Sequence, residues 1–271
     1  MSGNITVYVC CQNLIWLRVS EILIRFADLI HKTIDMKKCL SFNFLTVFVG
    51  ICLLSACSKD DNPEPSGIIP DSVDLGLSVN WASCNIGAEK PEGLGGYYQW
   101  AGTEDVGPRS YHPDWTNCPY HTGTSNNSGF TKYNSIPSYG TVDNKTVLDA
   151  GDDVANKVLG GKWRIPTYAE WMELLDNCTW TWTKQNDMCG YKVVSNKPGF
   201  TDKYIFLPAA GCRRRDVYEG VGYGGSYWSS SLSTDTPRDA FSLFFTSAEV
   251  KMLTTNSYRF YGVPVRPVEQ K

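Results

Sequence analysis

The chain has little charge of either sign, little histidine and no apolar run long enough to cross a bilayer. Its 25 Lys and Arg stand against 28 Asp and Glu, a formal charge of −3, and only three histidines occur in 271 residues. A protein that grips nucleic acid carries a basic stripe, so near-neutrality sets that partner class aside. Outside the first 35 residues the histidines are His112 and His121, both in one polar stretch, and no G-x-S-x-G elbow presents a nucleophilic serine. No repeat at a fixed period is found, which excludes solenoids and propellers. The twelve-residue EF-hand spacing is absent too. The chain is read as no enzyme, with no cofactor and no resident metal.

What is present begins with an apolar run that stops at a cysteine. Leu40 to Ala56 is apolar apart from Ser41, Asn43, Thr46 and Ser55, follows Met36-Lys37-Lys38, and ends in small residues before Cys57. A positive start, an apolar middle and a small-residue end form the layout of a secretory signal. The run falls short of the roughly 20 residues that span a bilayer. Leu54-Ser55-Ala56-Cys57 resembles a bacterial lipobox, which implies lipid attachment at Cys57 and a membrane partner through that anchor. Ser58-Lys59-Asp60-Asp61 is similar to the signal that sends lipoproteins of the Bacteroidetes to the outer face of the outer membrane. Asn62 to Pro70, with three prolines, reads as a tether. Because a signal should open the chain, Met36 is expected to be the true start. The organisation is then an upstream segment over 1–35, a signal over 36–56, the acylated cysteine and tether over 57–70, and one domain over 71–271.

That domain, about 200 residues, is long enough for one sizeable core. Eight of its residues are tryptophan, and the default place for them is that core. Short strand-like words alternate with glycine-rich turns: "SVDLGLSVNWAS", "GGYYQWAG", "CTWTWT", "GYKVVS", "KYIFLPAAG", "SYWSSS", "AFSLFF", "EVKML" and "YGVPVRPV". One helix is clear. In "RIPTYAEWMELLDNC", Thr167 and Glu170 form a capping box and Trp171, Leu174 and Leu175 share an apolar face. Tyr111 to Tyr139 is polar and reads as a long surface excursion. The pattern is α+β.

Several motifs are weaker than they look. Gly220, Gly222 and Gly225 satisfy G-x-G-x-x-G, but strand-like "SYWSSS" follows where a phosphate-binding motif needs a helix, so the segment is a turn. Asp149, Asp152 and Asp153 supply oxygens enough to begin a calcium site, and are read instead as caps for a short helix over Val154 to Leu159. Besides Cys57, the exported part holds Cys84, Cys118, Cys178, Cys189 and Cys212, an odd number. Cys178 opens a hairpin strand and Cys189 ends its turn, which does not place them opposite each other. No pairing is assigned.

"VDLGLSVNWASCNIGA", "GGYYQWAGTE", "GGKWRIPTYAEWMELL", "CTWTWT", "IFLPAAG", "YWSSS" and "YGVPVRPV", in that order over Val73 to Val268, resemble the Fibrobacter succinogenes major paralogous domain family. "WRIPTYAEW" is also similar to a segment of formylglycine-generating enzymes. The resemblance implies a C-type lectin-like fold, with twisted antiparallel sheets, one or two helices and long loops. The enzymes use two cysteines near the C-terminus, and no cysteine follows Cys212. That departure leaves an enzyme of the sulfatase-modifying kind as a minor alternative. The scaffold implies recognition through C-terminal loops, with Arg214, Tyr227, Asp235, Arg238, Tyr258 and Arg259 as ligand-binding candidates. Arg213, Arg215, Trp228 and Asn256 lie near them, Trp228 being more readily a sheet residue. The expected function is a surface-anchored recognition protein for a glycan or protein ligand; the alternative is a structural component of a surface assembly such as a pilus tip.

The anchor reading has a direct check. Cys57→Ala is expected to abolish incorporation of labelled palmitate and to release the protein from the membrane fraction; a variant that still takes up label would refute it.

Overall fold

The structure, a computed structural model, describes residues 68–107, 112–255 and 257–271. The expected anchor at Cys57, its signal and the segment 1–35 lie outside the described residues, as does Asn256. Antiparallel pairing dominates. β1 (Ser72–Val73), β2 (Val79–Ala82), β3 (Trp163–Arg164) and β12 (Val268–Gln270) form a sheet of order β1-β2-β12-β3. β4 (Cys178–Gln185), β5 (Met188–Ser195) and β6 (Tyr204–Pro208) form a meander, as do β9 (Gly224–Leu232), β10 (Ala240–Thr246) and β11 (Val250–Leu253). β7 (Cys212–Arg214) and β8 (Val217–Glu219) make a separate hairpin. The α-helices among the described residues are α1 (Val154–Leu159) and α2 (Tyr168–Asn177). The layout is α+β.

The regular elements follow their local chemistry. β4 and β5 pair without a slip from Cys178↔Ser195 to Gln185↔Met188. Their turn places Asn186 and Asp187 at φ +42° and +70°, a left-handed pair that these two residue types tolerate. Trp180 and Trp182 then fall on one face, where both rings meet Tyr191 at 5.6 and 5.2 Å. Cys178 and Cys189 sit opposite Ser195 and Lys184, as their spacing implies, and the five described cysteines are free thiols. At α2 the capping box forms as read, Thr167 Oγ1 accepting from the Glu170 amide and Glu170 accepting from the Thr167 amide. Arg164 pairs with the same Glu170 at 2.5 Å, so one carboxylate ties the helix start to β3. Trp171 and Leu174 are buried, and Leu175 packs partly buried beside them.

β9 carries the core. Its outward amides do not face water: Ser226, Trp228, Ser230 and Leu232 donate to Gly211, Pro264, Pro166 and Thr146 carbonyls, from four separate segments. The edge away from β10 is therefore covered, and side chains on both faces are buried as well. Tyr227 points into a cluster with Trp81, Trp171, Val193 and Phe245, while Trp228 points into another with Trp100, Trp163, Tyr133 and Val265. Three indoles stitch the clusters to the backbone. Trp171 Nε1 donates to Trp228 O at 3.1 Å, Trp228 Nε1 to Tyr98 O at 2.7 Å and Trp100 Nε1 to Ser229 O at 2.8 Å.

Three expectations need correction. "GGYYQWAG" is no strand; Tyr98 makes only isolated bridges to Asp105 and Val263, and Ala101 at φ +65° takes the chain out of the extended region. "YGVPVRPV" forms a ladder only from Val268, because Pro264 and Pro267 offer no N–H to a neighbour. The polar stretch after Tyr111 is not a free excursion either. Phe130 and Tyr133 are fully buried, drawn in around a buried arginine described below.

Trp171→Ala is expected to cost about 3–5 kcal/mol and Thr167→Ala about 1 kcal/mol in chemical denaturation. An unchanged midpoint for Trp171→Ala would contradict the packing of α2.

Candidate ligand-binding cleft

The β7–β8 hairpin turns through Arg215, at φ +54°, and Asp216, so consecutive arginines of β7 face opposite ways. Arg213 points inward and is fully buried. Its guanidinium donates to Arg215 O at 3.0 Å, to Tyr218 Oη at 3.3 Å and to Gly107 O, and lies over the Tyr218 ring. These bonds pin the hairpin to the segment before Pro108. Arg214 points outward, pairs with Glu219 at 3.1 Å and covers the Tyr261 ring at 4.6 Å.

The facing wall is a short 3-10 turn, Trp115–Asn117. Asp114 caps it by accepting from the Thr116 amide at 2.7 Å, and Asn117 returns a bond to the Asp114 amide at 2.9 Å. This holds Trp115 edge-on to Phe260, with centroids 4.8 Å apart, and near Tyr258 at 5.8 Å. Tyr258, Phe260 and Tyr261 form the floor, ring on ring. Between the walls lies a cleft of about 450 Å³, lined also by Asp114, Arg214, Arg215, Asp216 and Glu219. Behind the hairpin a second pocket of about 270 Å³ is lined by Cys212, Ser226, Phe244, Leu253, Ser257 and Val263.

Of the residues expected to bind ligand, Arg214 and Tyr258 line this cleft. Arg238 stands beside it, its guanidinium over Tyr258 at 5.4 Å and donating to Asn127 Oδ1 at 3.0 Å. Asp235 is exposed in the β9–β10 loop, away from both pockets. Tyr227 and Arg259 are corrections: both are fully buried and reach no surface. Tyr227 is held because β9 is covered on both faces; its hydroxyl donates to Pro208 O at 2.8 Å. Arg259 is sandwiched over Trp100 at 4.9 Å and Phe130 at 4.7 Å, and donates to the Tyr133 and Pro237 carbonyls at 3.2 Å. Burial pulls its guanidinium down to about 10, still charged at neutral pH. Trp228 is likewise a core residue. Sequence reasoning passed over Trp115, Phe260 and Tyr261. The alternation Tyr258-Arg259-Phe260 was the available signal, with one member in and its neighbours toward the cleft.

The acidic cluster is organised around a lysine. Lys132 Nζ sits 2.7 Å from Asp149 and 2.6 Å from Asp152, and Tyr120 and Tyr133 donate to Asp152 as well. Asp153 caps α1, which spans Val154–Leu159 as expected, by accepting from the Ala155 and Asn156 amides. Among the described residues no group of three or more His, Cys, Asp or Glu is placed to hold a metal ion. The Gly220-to-Gly225 segment is a turn leading into β9, with no helix behind it. Comparison with family models, with characterised proteins and with solved structures gives no match.

Burial alone would push the Asp152 carboxyl up, but the bonds from Lys132, Tyr120 and Tyr133 outweigh it and hold it below its ordinary value. Its stabilising contribution is therefore complete above the unfolded-state value and is lost as pH falls through the lower folded one. The stability gap between the protein and Asp152→Asn, measured by denaturant titration, is expected to hold from neutral pH down to about 4 and to narrow below it. A constant gap at acid pH would show that Asp152 is not ion-paired.

Proposed function

We propose that the chain is a surface-anchored, non-catalytic recognition protein that holds a glycan or protein ligand in the cleft between Trp115 and the β7–β8 hairpin. The observation that carries this reading is the cleft itself: four aromatic rings, wedged against one another, with arginine and carboxylate tips at the rim. Tyrosine, tryptophan and arginine supply large contact area with hydrogen-bonding ends, the composition of binding hot spots. The expected C-type lectin-like scaffold, the resemblance to the major paralogous domain family, and the lipobox at Cys57 with its outer-face signal support display at the outer surface of an outer membrane.

A second reading, a component of a surface assembly, draws on one feature. Tyr223 is 82% exposed and Val217 53%, both on or beside the hairpin that walls the cleft. An assembly partner would cover both; Val217 also lines the cleft, whereas a ligand seated there would not need Tyr223.

The readings separate on arrays of glycans and surface proteins. Replacing Tyr258 and Arg214 together by alanine is expected to weaken the bound ligand by about 2 kcal/mol or more, roughly thirtyfold, with the melting temperature little changed. A ligand that binds the double variant with full affinity does not use the cleft. Loss of binding in Tyr223→Ser with the cleft variants unaffected would favour the assembly reading.

A further inference from the structure

β4 is the open edge of its meander. The Ser195 amide donates to Lys203 O and the Ala209 amide to Cys189 O, so the odd-numbered residues of β5 turn their backbone groups toward β6. Pairing without a slip then sets the even-numbered residues of β5 against the odd-numbered residues of β4. The N–H and C=O groups of Trp180, Trp182 and Lys184 are left pointing away from the sheet, and they meet no partner among the described residues. We infer that this edge pairs with the β4 edge of a second copy, antiparallel across a two-fold axis at Thr181, so that two three-stranded meanders join into one continuous sheet.

Edges of this kind are ordinarily blunted by proline, a bulge or charge. β4 runs for eight residues, Cys178–Gln185, with no proline and no bulge, and its one charged residue, Lys184, stands at the turn end. The rest is threonine alternating with tryptophan, residue types that suit a strand. Trp180 and Trp182 lie on the face packed against the core, yet both stay half-buried, while Thr179 and Thr181 on the other face are exposed.

The residues of the edge match a copy of themselves. With the axis at Thr181, the outward groups of Trp180 exchange bonds with those of Trp182 in the second copy. Thr181 meets its own equivalent and Thr179 meets Thr183, and cross-strand threonine pairs support an antiparallel ladder. The core-side faces align, so the half-buried indoles of each copy are covered by those of the other. Lys184 falls opposite Cys178, just past the end of α2. The last turn of α2 holds Asp176 and no basic residue, so the incoming ammonium meets a carboxylate and the negative end of a helix. Within its own chain Lys184 pairs with Asp187 at 3.0 Å, an exposed pair that costs little to give up. Moving the axis to Trp182 would set Lys184 opposite Trp180 and lose that complement. The contact is isologous and uses up both edges, so association stops at two copies.

The test uses the full-length protein in mild detergent, with the melting temperature as the check on folding. The parent chain is expected to sediment as a concentration-dependent dimer. Under air oxidation Thr181→Cys is expected to give a disulfide-linked dimer in excess of the parent, because a non-hydrogen-bonded antiparallel pair brings its two Cα atoms to about 4.5 Å. Thr179→Cys and Thr183→Cys are each expected to match the parent alone and to cross-link when mixed. Thr181→Lys and Thr181→Glu, at an exposed site, are each expected to weaken association roughly fivefold, and mixing the two to restore it. A parent chain that stays monomeric, no cross-link through Thr181→Cys, or equal cross-linking of all three cysteine variants, the mark of random collision, overturns the inference. Protection of the Trp180 and Trp182 amides from hydrogen exchange that does not change with concentration also overturns it, since the edge is then covered within one chain. None of these readouts involves the cleft, so their failure leaves the recognition reading standing.

Discussion

The structure depends on donors placed inside a domain whose backbone is largely irregular. Segments without a continuous ladder bring carbonyls into the interior, and each one left without a partner costs about 1–3 kcal/mol. Tryptophan and arginine side chains supply the missing donors. Arg266 is fully buried, and its guanidinium makes four bonds, to Asn85 Oδ1 at 2.9 Å and to the Ala82, Ser83 and Phe206 carbonyls at 3.1, 2.9 and 2.9 Å. None of those partners is a carboxylate. Burial pulls the Arg266 pKa down, but a delocalised, weakly hydrated cation surrounded by carbonyl dipoles can remain charged where a lysine would lose its proton. Arg213 and Arg259 repeat the device at two other junctions.

This accounts for the use of tryptophan. Trp81, Trp100, Trp171 and Trp228 are fully buried. For Trp100, Trp171 and Trp228 the ring fills volume while the single N–H ends on a carbonyl of another segment. A phenylalanine would fill most of the same space and remove that bond between segments. Ring count alone is therefore a poor guide to binding in this chain, since most of the rings are structural.

The sequence showed those parts of the fold whose signals are local. The capping box at Thr167 and the alternation of "CTWTWT" each arise within a few residues and are found where expected, while the turn read over 184–190 narrows to Asn186-Asp187, with Cys189 inside β5. What it hid was set by contacts between distant segments. Tyr227 and Trp228 are neighbours in a strand, which by alternation puts them on opposite faces, and only the two clusters packed on those faces bury both. Arg259 and Tyr258 differ in fate for the same reason: the Arg259 guanidinium is claimed by Tyr133 and Phe130, residues of a stretch too polar to suggest a core. Arg213 and Arg214 were separable in principle by strand alternation, but a three-residue strand is too short for its phase to be read without its partner.

The cleft inherits its order from these buried junctions. Its walls come from 112–117, 212–219 and 258–261, and each wall has an inner member fixed to the body. Trp115 packs on Phe130, Arg213 is bonded to Gly107, and Arg259 holds the carbonyls of Tyr133 and Pro237. Rings that are already wedged lose little conformational freedom on binding, so more of the contact energy remains as affinity. The outward neighbours, Arg214, Arg215 and Tyr258, contribute little to that framework. On the recognition reading, substitution at these positions is expected to change what the cleft holds at small cost in stability, whereas substitution at Arg213, Arg259 or Arg266 removes donors from interior carbonyls and threatens the fold. Scaffold and specificity are thus divided between alternate residues of the same short segments.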